Sequence, residues 1–308
     1  MDMHPSDRQL SSPQFVLSAA RCEAWHPVTE ACAFQVAWEI NPHMEKGSVR
    51  VERAVYEHSA LRSRLHALGA GVVDLPFLHG AYDSVFTKDV AILTSGRNRR
   101  KALMATPRHR ERRQEQIHRQ RSLSAHGFEV APPLTTTLEG GDVVVLPKCK
   151  GAFLGFGERS DPRSAVGLEN FLEAPVWPLQ LRDPRLYHLD MALGILDEGP
   201  ALVCEDALTP EALARVKEVL GPTFVISVPL SAALQFGLNF IQIGRTVLLG
   251  RKTPRVQHIL KGLGYRPEVL PLHEFQRAGG SAGCLVARVH QEGRQTTSEM
   301  MPMRSTSL

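Results

Sequence analysis

Residues 277–290 read Arg-Ala-Gly-Gly-Ser-Ala-Gly-Cys-Leu-Val-Ala-Arg-Val-His, a glycine-rich turn that leads into an apolar, β-prone segment. Three glycines within five positions allow the backbone to turn tightly and to approach a ligand closely. Cys284 follows at once, at the start of the predicted strand. A thiol in this place is either a nucleophile, which needs histidine and carboxylate partners elsewhere in the chain, or a small buried hydrophobic residue.

The same stretch spells Gly-x-Ser-x-Gly around Ser281, the pattern of a serine-hydrolase elbow. Such an elbow needs a strand before the serine, a helix after it, and an acid and a histidine further downstream. Here a helix-like segment precedes the serine, a strand-like segment follows it, and few residues remain. The match is therefore a false positive.

The apolar segment before this turn is the last of five copies of one pattern. In each copy a short apolar strand ends at or near a proline, and a polar loop and a second apolar strand follow. The prolines are Pro76, Pro132, Pro178, Pro229 and Pro271, and they lie 42 to 56 residues apart. A period of about 50 residues predicts one supersecondary unit copied around an axis. Five such α/β units would close into a ring without exposed sheet edges.

The loop after each proline carries polar or reactive residues at the same place in its unit. In chain order these are Asp83 and Asp89, then Leu138–Asp142 (Leu-Glu-Gly-Gly-Asp), then Tyr187–Asp190 (Tyr-His-Leu-Asp), then Asn239, and last Cys284. In a closed ring the five loops converge at the centre. The repeat therefore predicts that the thiol lies beside a histidine and several carboxylates.

Helical patterns connect the predicted strands. The clearest runs from Thr209 to Gly221, with an N-cap, a proline at the first helical position and a terminal glycine. Residues 51–68 show apolar residues at helical spacing, and residues 33–40 alternate as a strand does. The expected organisation is a loose leader, one catalytic domain and a polar tail, at residues 1–32, 33–290 and 291–308.

The composition is typical of a soluble globular protein, with 43% hydrophobic and 22% charged residues among 308. A net charge of +4 gives no argument for a nucleic-acid partner. No apolar run approaches the roughly 18 residues that a membrane span needs, so no membrane association is expected. Five scattered cysteines fit a reducing compartment better than a disulfide framework, and we predict a cytoplasmic protein.

Two further patterns are interpreted as structural. Six arginines between residues 108 and 121 alternate with acidic residues and lack aromatic neighbours, which is typical of a solvated helix face. The chain has no Cys-x-x-Cys, and His273-Glu274 is not followed by the second histidine of a zinc-binding helix, because position 277 is Arg277. The sequence therefore predicts no metal site and no cofactor.

Four motifs resemble those of the guanidino-group-modifying enzymes, a superfamily of arginine deiminases, dimethylarginine dimethylaminohydrolases and amidinotransferases. They are Asp-Ser-Val-Phe-Thr-Lys-Asp at 83–89, Leu-Glu-Gly-Gly-Asp at 138–142, His-Leu-Asp at 188–190 and Gly-Gly-Ser-Ala-Gly-Cys at 279–284. The resemblance runs in order from about Ala33 to His290. It implies a five-bladed α/β propeller, the pentein fold, in agreement with the repeat.

The resemblance also implies roles for individual residues. Cys284 would attack the guanidinium carbon and form a covalent intermediate. His188 would protonate the departing amine and then activate water. Glu139 would orient His188 and accept a guanidinium N–H.

Four more residues are expected to bind the substrate. Asp89 and Asp190 would hold the guanidinium, because its planar N–H groups pair well with carboxylates. Asp83 is expected near the amino-acid end of the substrate. Arg159 resembles the residue that holds the substrate α-carboxylate in dimethylargininases.

We therefore predict a cofactor-free cysteine hydrolase that acts on the guanidino group of arginine or an N-methylated arginine and yields citrulline. The segment around Asp83 resembles dimethylargininases, whereas Asp190 resembles arginine deiminases, and Lys88 stands where dimethylargininases often carry an acidic residue. An amidinotransferase is the alternative within the superfamily. A non-catalytic guanidinium-binding or scaffold protein on the same fold is the alternative outside it, and assembly as a homo-oligomer is open.

Overall fold

The computed structural model of the protein describes residues 12–22, 32–96 and 99–292. The strands are β1 Gln14–Ser18, β2 Gly71–Leu75, β3 Ala91–Ser95, β4 Arg100–Met104, β5 Phe128–Ala131, β6 Val143–Val145, β7 Ala152–Phe156, β8 Val176–Gln180, β9 Leu193–Ile195, β10 Ala201–Val203, β11 Val225–Ser227, β12 Ile241–Ile243, β13 Thr246–Leu249, β14 Arg266–Val269 and β15 Val286–Gln291. The α-helices are α1 Val51–Ala67, α2 Arg110–Arg113, α3 Gln116–Ala125, α4 Ser164–Leu172, α5 Pro210–Leu220, α6 Leu230–Ala233, α7 Pro254–Gly262 and α8 His273–Gln276.

The strands repeat one arrangement. Three sheets have the orders β6-β7-β8, β9-β10-β11 and β12-β13-β14, and in each an antiparallel pair is followed by a parallel third strand. Strands β3-β4-β5 form the same unit. The fifth unit is β15-β1-β2, built from the two ends of the described chain.

The five strands predicted from the prolines are confirmed, and each is the third strand of its unit. They are β2, β5, β8, β11 and β14. The fold is mixed α/β, as predicted. Five separate sheets are not seen, because β15 pairs with β3 and joins two units into one six-stranded sheet of order β2-β1-β15-β3-β4-β5.

Two predicted helices are confirmed. The α5 helix begins after Thr209, whose hydroxyl accepts a hydrogen bond from the Ala212 N–H at 3.3 Å, and ends at Gly221 with a φ of 85°. The α1 helix buries Leu61 and Leu65 against a core cluster that also contains Phe34. No helix within the described ranges is long and apolar enough to cross a bilayer.

The prediction of a loose leader is wrong for β1. This strand lies between β2 and β15 and buries Phe15, Val16 and Leu17. Its apolar run is only three residues long, too short to stand out by periodicity in a polar segment. Residues 1–11 and 23–31 of the predicted leader, and 293–308 of the predicted tail, lie outside the described residues.

The strand predicted at residues 33–40 is also wrong. Only an isolated bridge between Arg21 and Ala33 forms there. The alternation instead reflects side chains that point into the core: Phe34 stacks on Phe275 with ring centroids 4.7 Å apart. Burial alone can produce a period of two in an irregular segment.

Candidate active site

The candidate site forms where the loops that enter the first strands of the units meet. Four of these loops end in a single turn of 3-10 helix directly before or one residue before the strand. The turns are Thr87–Asp89, Gly140–Asp142, Leu189–Met191 and Gly283–Leu285. Asp89 and Cys284 lie within their turns, and Glu139 and His188 come directly before theirs, so the four side chains lie in corresponding loops of the repeat.

The glycines before Cys284 allow a close approach, as the sequence predicts. The groups that approach them are other side chains of the protein. Gly279 has a φ of 84° in the left-handed region, and a Cβ there would lie 2.6 Å from Asn41 Oδ1. A Cβ on Gly280 would lie 2.3 Å from the ring of Phe86. Larger residues would therefore push apart the walls of the site.

Glu139 and His188 form a buried pair. His188 Nε2 lies 2.9 Å from Glu139 Oε2, and the other carboxylate oxygen accepts the Arg108 N–H at 3.0 Å. Burial lowers the pKa of His188, but Asp89 and the hydrogen bond to Glu139 outweigh it and raise that pKa to about 9. The imidazole is therefore protonated at neutral pH and can donate a proton.

Cys284 is 3% exposed, and its N–H donates to Asn239 Oδ1 at 3.1 Å. Burial raises the pKa of the thiol well above its ordinary value, and the negative charges of Asp190 and Asp89 raise it further. The raised pKa keeps the sulfur a neutral thiol at neutral pH.

Asp89 is fixed by two donors. Its Oδ1 accepts the Gly141 N–H at 3.1 Å, and its Oδ2 accepts Arg112 Nη1 at 3.1 Å. The Nε of the same arginine donates to Glu115 at 2.5 Å. Oδ1 also lies 3.6 Å from His188 Nδ1.

The arginine-rich segment is therefore only partly a solvated face. Arg112 and Arg119 are buried, at 4% and 0% exposure, and Arg119 donates to Ser18 and to backbone carbonyls of two loops. The interpretation is wrong for these two residues. The remaining arginines of the segment, Arg108, Arg110, Arg113 and Arg121, are exposed.

Asp190 is buried, and neither of its oxygens accepts a geometrically sound hydrogen bond from the described residues. Burial raises its pKa to about 6, although His188, Lys88 and the nearby Asn239 amide favour the charged form. Lys88 donates to the Val143 carbonyl at 2.9 Å, and burial lowers its pKa. Asp190 thus offers two free acceptors close to the thiol.

Asp83 and Arg159 are each held by buried partners. Asp83 Oδ2 accepts the Trp38 indole N–H at 2.6 Å, and its other oxygen has no partner among the described residues. Arg159 stacks over the Tyr187 ring at 4.7 Å. Its Nη1 donates to Glu139 at 3.0 Å and its Nη2 to the Ile40 carbonyl at 2.7 Å.

Five of the seven predicted site residues line one small cavity of about 10 Å³. They are Asp83, Asp89, Arg159, His188 and Cys284. Glu139 lies behind His188. Asp190 lines a second cavity of about 800 Å³, together with Lys88 and Asn239.

Residues 33–291 match the family described as N,N dimethylarginine dimethylhydrolase, eukaryotic, which spans most of the chain. The chain belongs to this family. The predicted resemblance to the guanidino-group-modifying superfamily is thereby confirmed, and the protein is a hydrolase of guanidino C–N bonds.

The similarity to named proteins of related sequence extends over the same region of this family member. The N(G),N(G)-dimethylarginine dimethylaminohydrolase of Mycobacterium tuberculosis is 28% identical over 268 residues, which cover 86% of this chain and 85% of that protein. The bifunctional arginine dihydrolase/ornithine cyclodeaminase AgrE of Nostoc sp. is 28% identical over 269 residues, which cover 85% of this chain and 37% of AgrE.

A solved structure shows the same fold. The N-terminal domain of ArgZ, an arginine dihydrolase in Cyanobacteria, was crystallised bound to substrate. It matches with a TM-score of 0.82 at 24% identity, covering 91% of this chain and 99% of that chain.

Sequence reasoning missed residues that shape the site of this family member. Asn41 donates from Nδ2 to the Ala278 carbonyl at 3.0 Å and so closes one wall of the cavity. Trp38 holds Asp83. By contrast, the segment Arg-Arg-Gln-Glu at residues 112–115 resembles one in the superfamily, and Arg112 is its buried arginine, paired with Glu115 three residues later.

Proposed function

We propose that the protein hydrolyses the guanidino group of arginine or an N-methylated arginine to citrulline, with ammonia or a methylamine as the second product. The proposal is carried by the thiol of Cys284 in the same small cavity as His188 and Asp89. A non-catalytic guanidinium-binding protein would have no use for that thiol or for a protonated imidazole beside it.

Substrate charge is proposed to activate the nucleophile. The carboxylates of Asp89 and Asp190 suppress ionisation of the Cys284 thiol. A guanidinium cation bound between them would offset those charges and favour the thiolate. The enzyme would then hold a reactive thiolate only when substrate is present.

The reaction is proposed to proceed in two steps. As substrate binds, the Cys284 thiol releases its proton to solvent; the sulfur then bonds to the guanidinium carbon, and the C–N bond to the departing amine breaks as His188 gives that amine a proton. The neutral imidazole next takes one proton from water, the oxygen bonds to the same carbon, the C–S bond breaks, and the remaining hydroxyl proton passes to the sulfur. The products are the urea group of citrulline and a regenerated thiol. Glu139 stabilises the imidazolium throughout.

The unsubstituted guanidinium suits Asp190 better than a dimethylated one. Both oxygens of this buried carboxylate lack donors among the described residues, and arginine has N–H groups on every guanidino nitrogen. Dimethylation removes two of these donors. We therefore propose arginine as the better substrate, with Asp83 near its amino group and Arg159 near its carboxylate.

We further propose that the five three-stranded units form the five-bladed α/β propeller of the pentein fold. The repeated strand order and the fold likeness to the ArgZ domain support this arrangement. In it, the loops that carry the site face one another across the centre.

Citrulline formation by the purified protein tests the proposed function. Arginine, monomethylated arginine and asymmetrically dimethylated arginine would be compared, with Cys284→Ala as the inactive variant and Cys204→Ala as a matched control at another buried thiol. We expect citrulline from arginine at the highest kcat/KM, and a loss of at least about 1,000-fold in Cys284→Ala alone. No citrulline from any of the three, with an amidino group transferred to an added amine, would instead establish an amidinotransferase.

A further inference from the structure

Three potential metal ligands that the proposed reaction does not use lie together outside the candidate site. They are Cys22, Cys32 and His79, and their ligand atoms all lie within 4.8 Å of one another. The Cys32 sulfur is 3.1 Å from His79 Nδ1. Cys32 is buried, Cys22 is half-buried and His79 is exposed, so the cluster is reachable from solvent.

The backbone holds the two cysteines opposite each other. The Cys22 N–H donates to the Cys32 carbonyl at 2.7 Å, and the Phe34 N–H donates to the Ala20 carbonyl at 2.9 Å. With the bridge between Arg21 and Ala33, these bonds form a short antiparallel pair. Both side chains therefore leave the backbone in similar directions.

The histidine reaches the cysteines because its loop is tied to the same segment. This loop follows β2, and the Ala19 N–H donates to the Leu75 carbonyl at 2.9 Å. The Ser18 hydroxyl donates to the Pro76 carbonyl at 3.3 Å. His79 comes three residues later, so the chain segments that carry all three ligands are positioned before any metal binds.

We propose that Cys22, Cys32 and His79 bind one zinc ion, with water in the fourth position. Thiolate and imidazole are the ligands that zinc prefers, in a tetrahedral arrangement with bonds of about 2.0–2.3 Å. Ligand atoms around such an ion lie about 3.5–4 Å apart. The ligand atoms of the cluster lie within 4.8 Å of one another, so small side-chain rotations are enough to reach this spacing.

Zinc suits these ligands better than other common divalent ions. Calcium and magnesium prefer oxygen ligands, and the cluster supplies none. Each thiol releases its proton to solvent as its sulfur bonds to the ion, and affinity should therefore rise with pH.

The ion would link two segments that converge on the candidate site. His79 lies shortly before the 3-10 turn Tyr82–Val85, which carries Asp83. Cys32 lies shortly before Trp38, whose indole donates to the same carboxylate. A bound ion would therefore stabilise the fold and hold this wall of the cavity.

Cobalt(II) titration under reducing conditions tests the site, because thiolate–cobalt bonds give a charge-transfer absorption in the near ultraviolet. The Cys284→Ala background excludes metal binding at the catalytic thiol. We expect one equivalent of cobalt to produce this absorption, and zinc to displace it. Affinity should fall at least about tenfold in Cys22→Ser, Cys32→Ser and His79→Gln, since even outer partners of metal ligands contribute 10- to 100-fold.

Matched controls separate this site from the others. Cys204→Ala should bind cobalt as the background does, and zinc should raise the melting temperature of the background but not of Cys22→Ser. Undiminished absorption in both single serine variants would overturn the proposal. The proposal would also be overturned if the absorption appeared only when Cys284 is present, or if a Cys22–Cys32 disulfide persisted under the reducing conditions of the titration. None of these readouts depends on citrulline formation.

Discussion

The carboxylates around Cys284 raise the pKa of both the thiol and His188, which favours the charged form of the imidazole and the neutral form of the thiol. Negative charge at Asp89 favours the imidazolium and disfavours the thiolate, so the pKa of His188 rises to about 9 while the pKa of Cys284 also rises. The same charges thus keep His188 protonated and Cys284 in its neutral thiol form. We expect a cationic substrate that binds against the sulfur to favour the Cys284 thiolate much more than it disfavours the His188 imidazolium.

The pH dependence of kcat/KM should report these residues. Asp190, with a pKa of about 6, loses its charge as the pH falls below that value, and guanidinium binding weakens. His188, with a pKa of about 9, loses its proton as the pH rises above that value, and the general acid is lost. We expect a bell-shaped profile with limbs near these two values, measured as citrulline formation from pH 5 to 10.

The Asp190→Asn variant assigns the acid limb. It should remove that limb and lower kcat/KM about 10- to 100-fold, because a hydrogen bond to a charged group contributes about 1.5–3 kcal/mol. The alkaline limb should stay in place. An acid limb that is unchanged in this variant would assign it to another group.

At the scale of elements, the short α2 helix combines a buried and an exposed arginine. Arg112 is buried between Asp89 and Glu115, whereas the Arg110 side chain is 90% exposed. We expect Arg112→Met to lower the free energy of unfolding by about 3–5 kcal/mol, because two carboxylates lose their buried partner. Arg110→Met should change it by less than about 0.5 kcal/mol.

Urea denaturation of the two arginine variants checks this expectation. Equal urea midpoints for the two variants would mean that water replaces the Arg112 guanidinium and that its ion pairs with Asp89 and Glu115 contribute little to stability. The same comparison also tests whether the segment is a solvated face, as its alternating charges suggest.

The segment from Trp38 to Met44 covers a cavity of about 10 Å³, which holds no more than one water molecule. Substrate entry therefore requires this segment to move. Asn41 holds it through the Ala278 carbonyl at 3.0 Å and through the His43 N–H at 2.9 Å. The Arg159 guanidinium also holds the segment through the Ile40 carbonyl at 2.7 Å, so the Asn41 amide is one of several bonds that close the wall.

We expect Asn41→Ala to populate the open form about fivefold more, because its one hydrogen bond across the wall, to the Ala278 carbonyl, contributes about 1 kcal/mol. Hydrogen–deuterium exchange of residues 38–47 should speed up accordingly. Asn170→Ala, at an exposed position in α4, is the matched control and should exchange like the parent protein. Unchanged exchange in Asn41→Ala would show that other contacts keep the cavity closed.

At the scale of the whole molecule, the sequence predicted what repeats and missed what does not. Five strands were found because a proline marks the end region of each third strand. The loop residues of the candidate site, such as Glu139, His188 and Cys284, were predicted because equivalent loops of the repeat carry them, whereas Arg159 was proposed from the family resemblance. The β1 strand was missed because it joins the two ends of the described chain, and the burial of Arg112 because one of its two carboxylate partners, Asp89, is far from it in sequence.

The β1 strand should therefore contribute to stability although it looks like part of a leader. Val16 is 1% exposed, lies between Val73 and Ala287, and packs in a core cluster with Leu93. Its carbonyl is 2.9 Å from the Thr87 hydroxyl, which ties β1 to the turn that carries Asp89.

We expect Val16→Ala to lower the free energy of unfolding by about 2 kcal/mol, from the lost burial of two methyl groups and the cavity they leave. Val166→Ala makes the same change at a side chain that is 64% exposed, and it should cost less than about 0.5 kcal/mol. Urea denaturation measures both. Because the change is remote from the thiol, kcat at low temperature should be retained in each variant. Equal stability of the two variants would return residues 14–18 to a loose leader, whereas a selective loss at Val16 would show that the six-stranded sheet depends on pairing between the ends of the described chain.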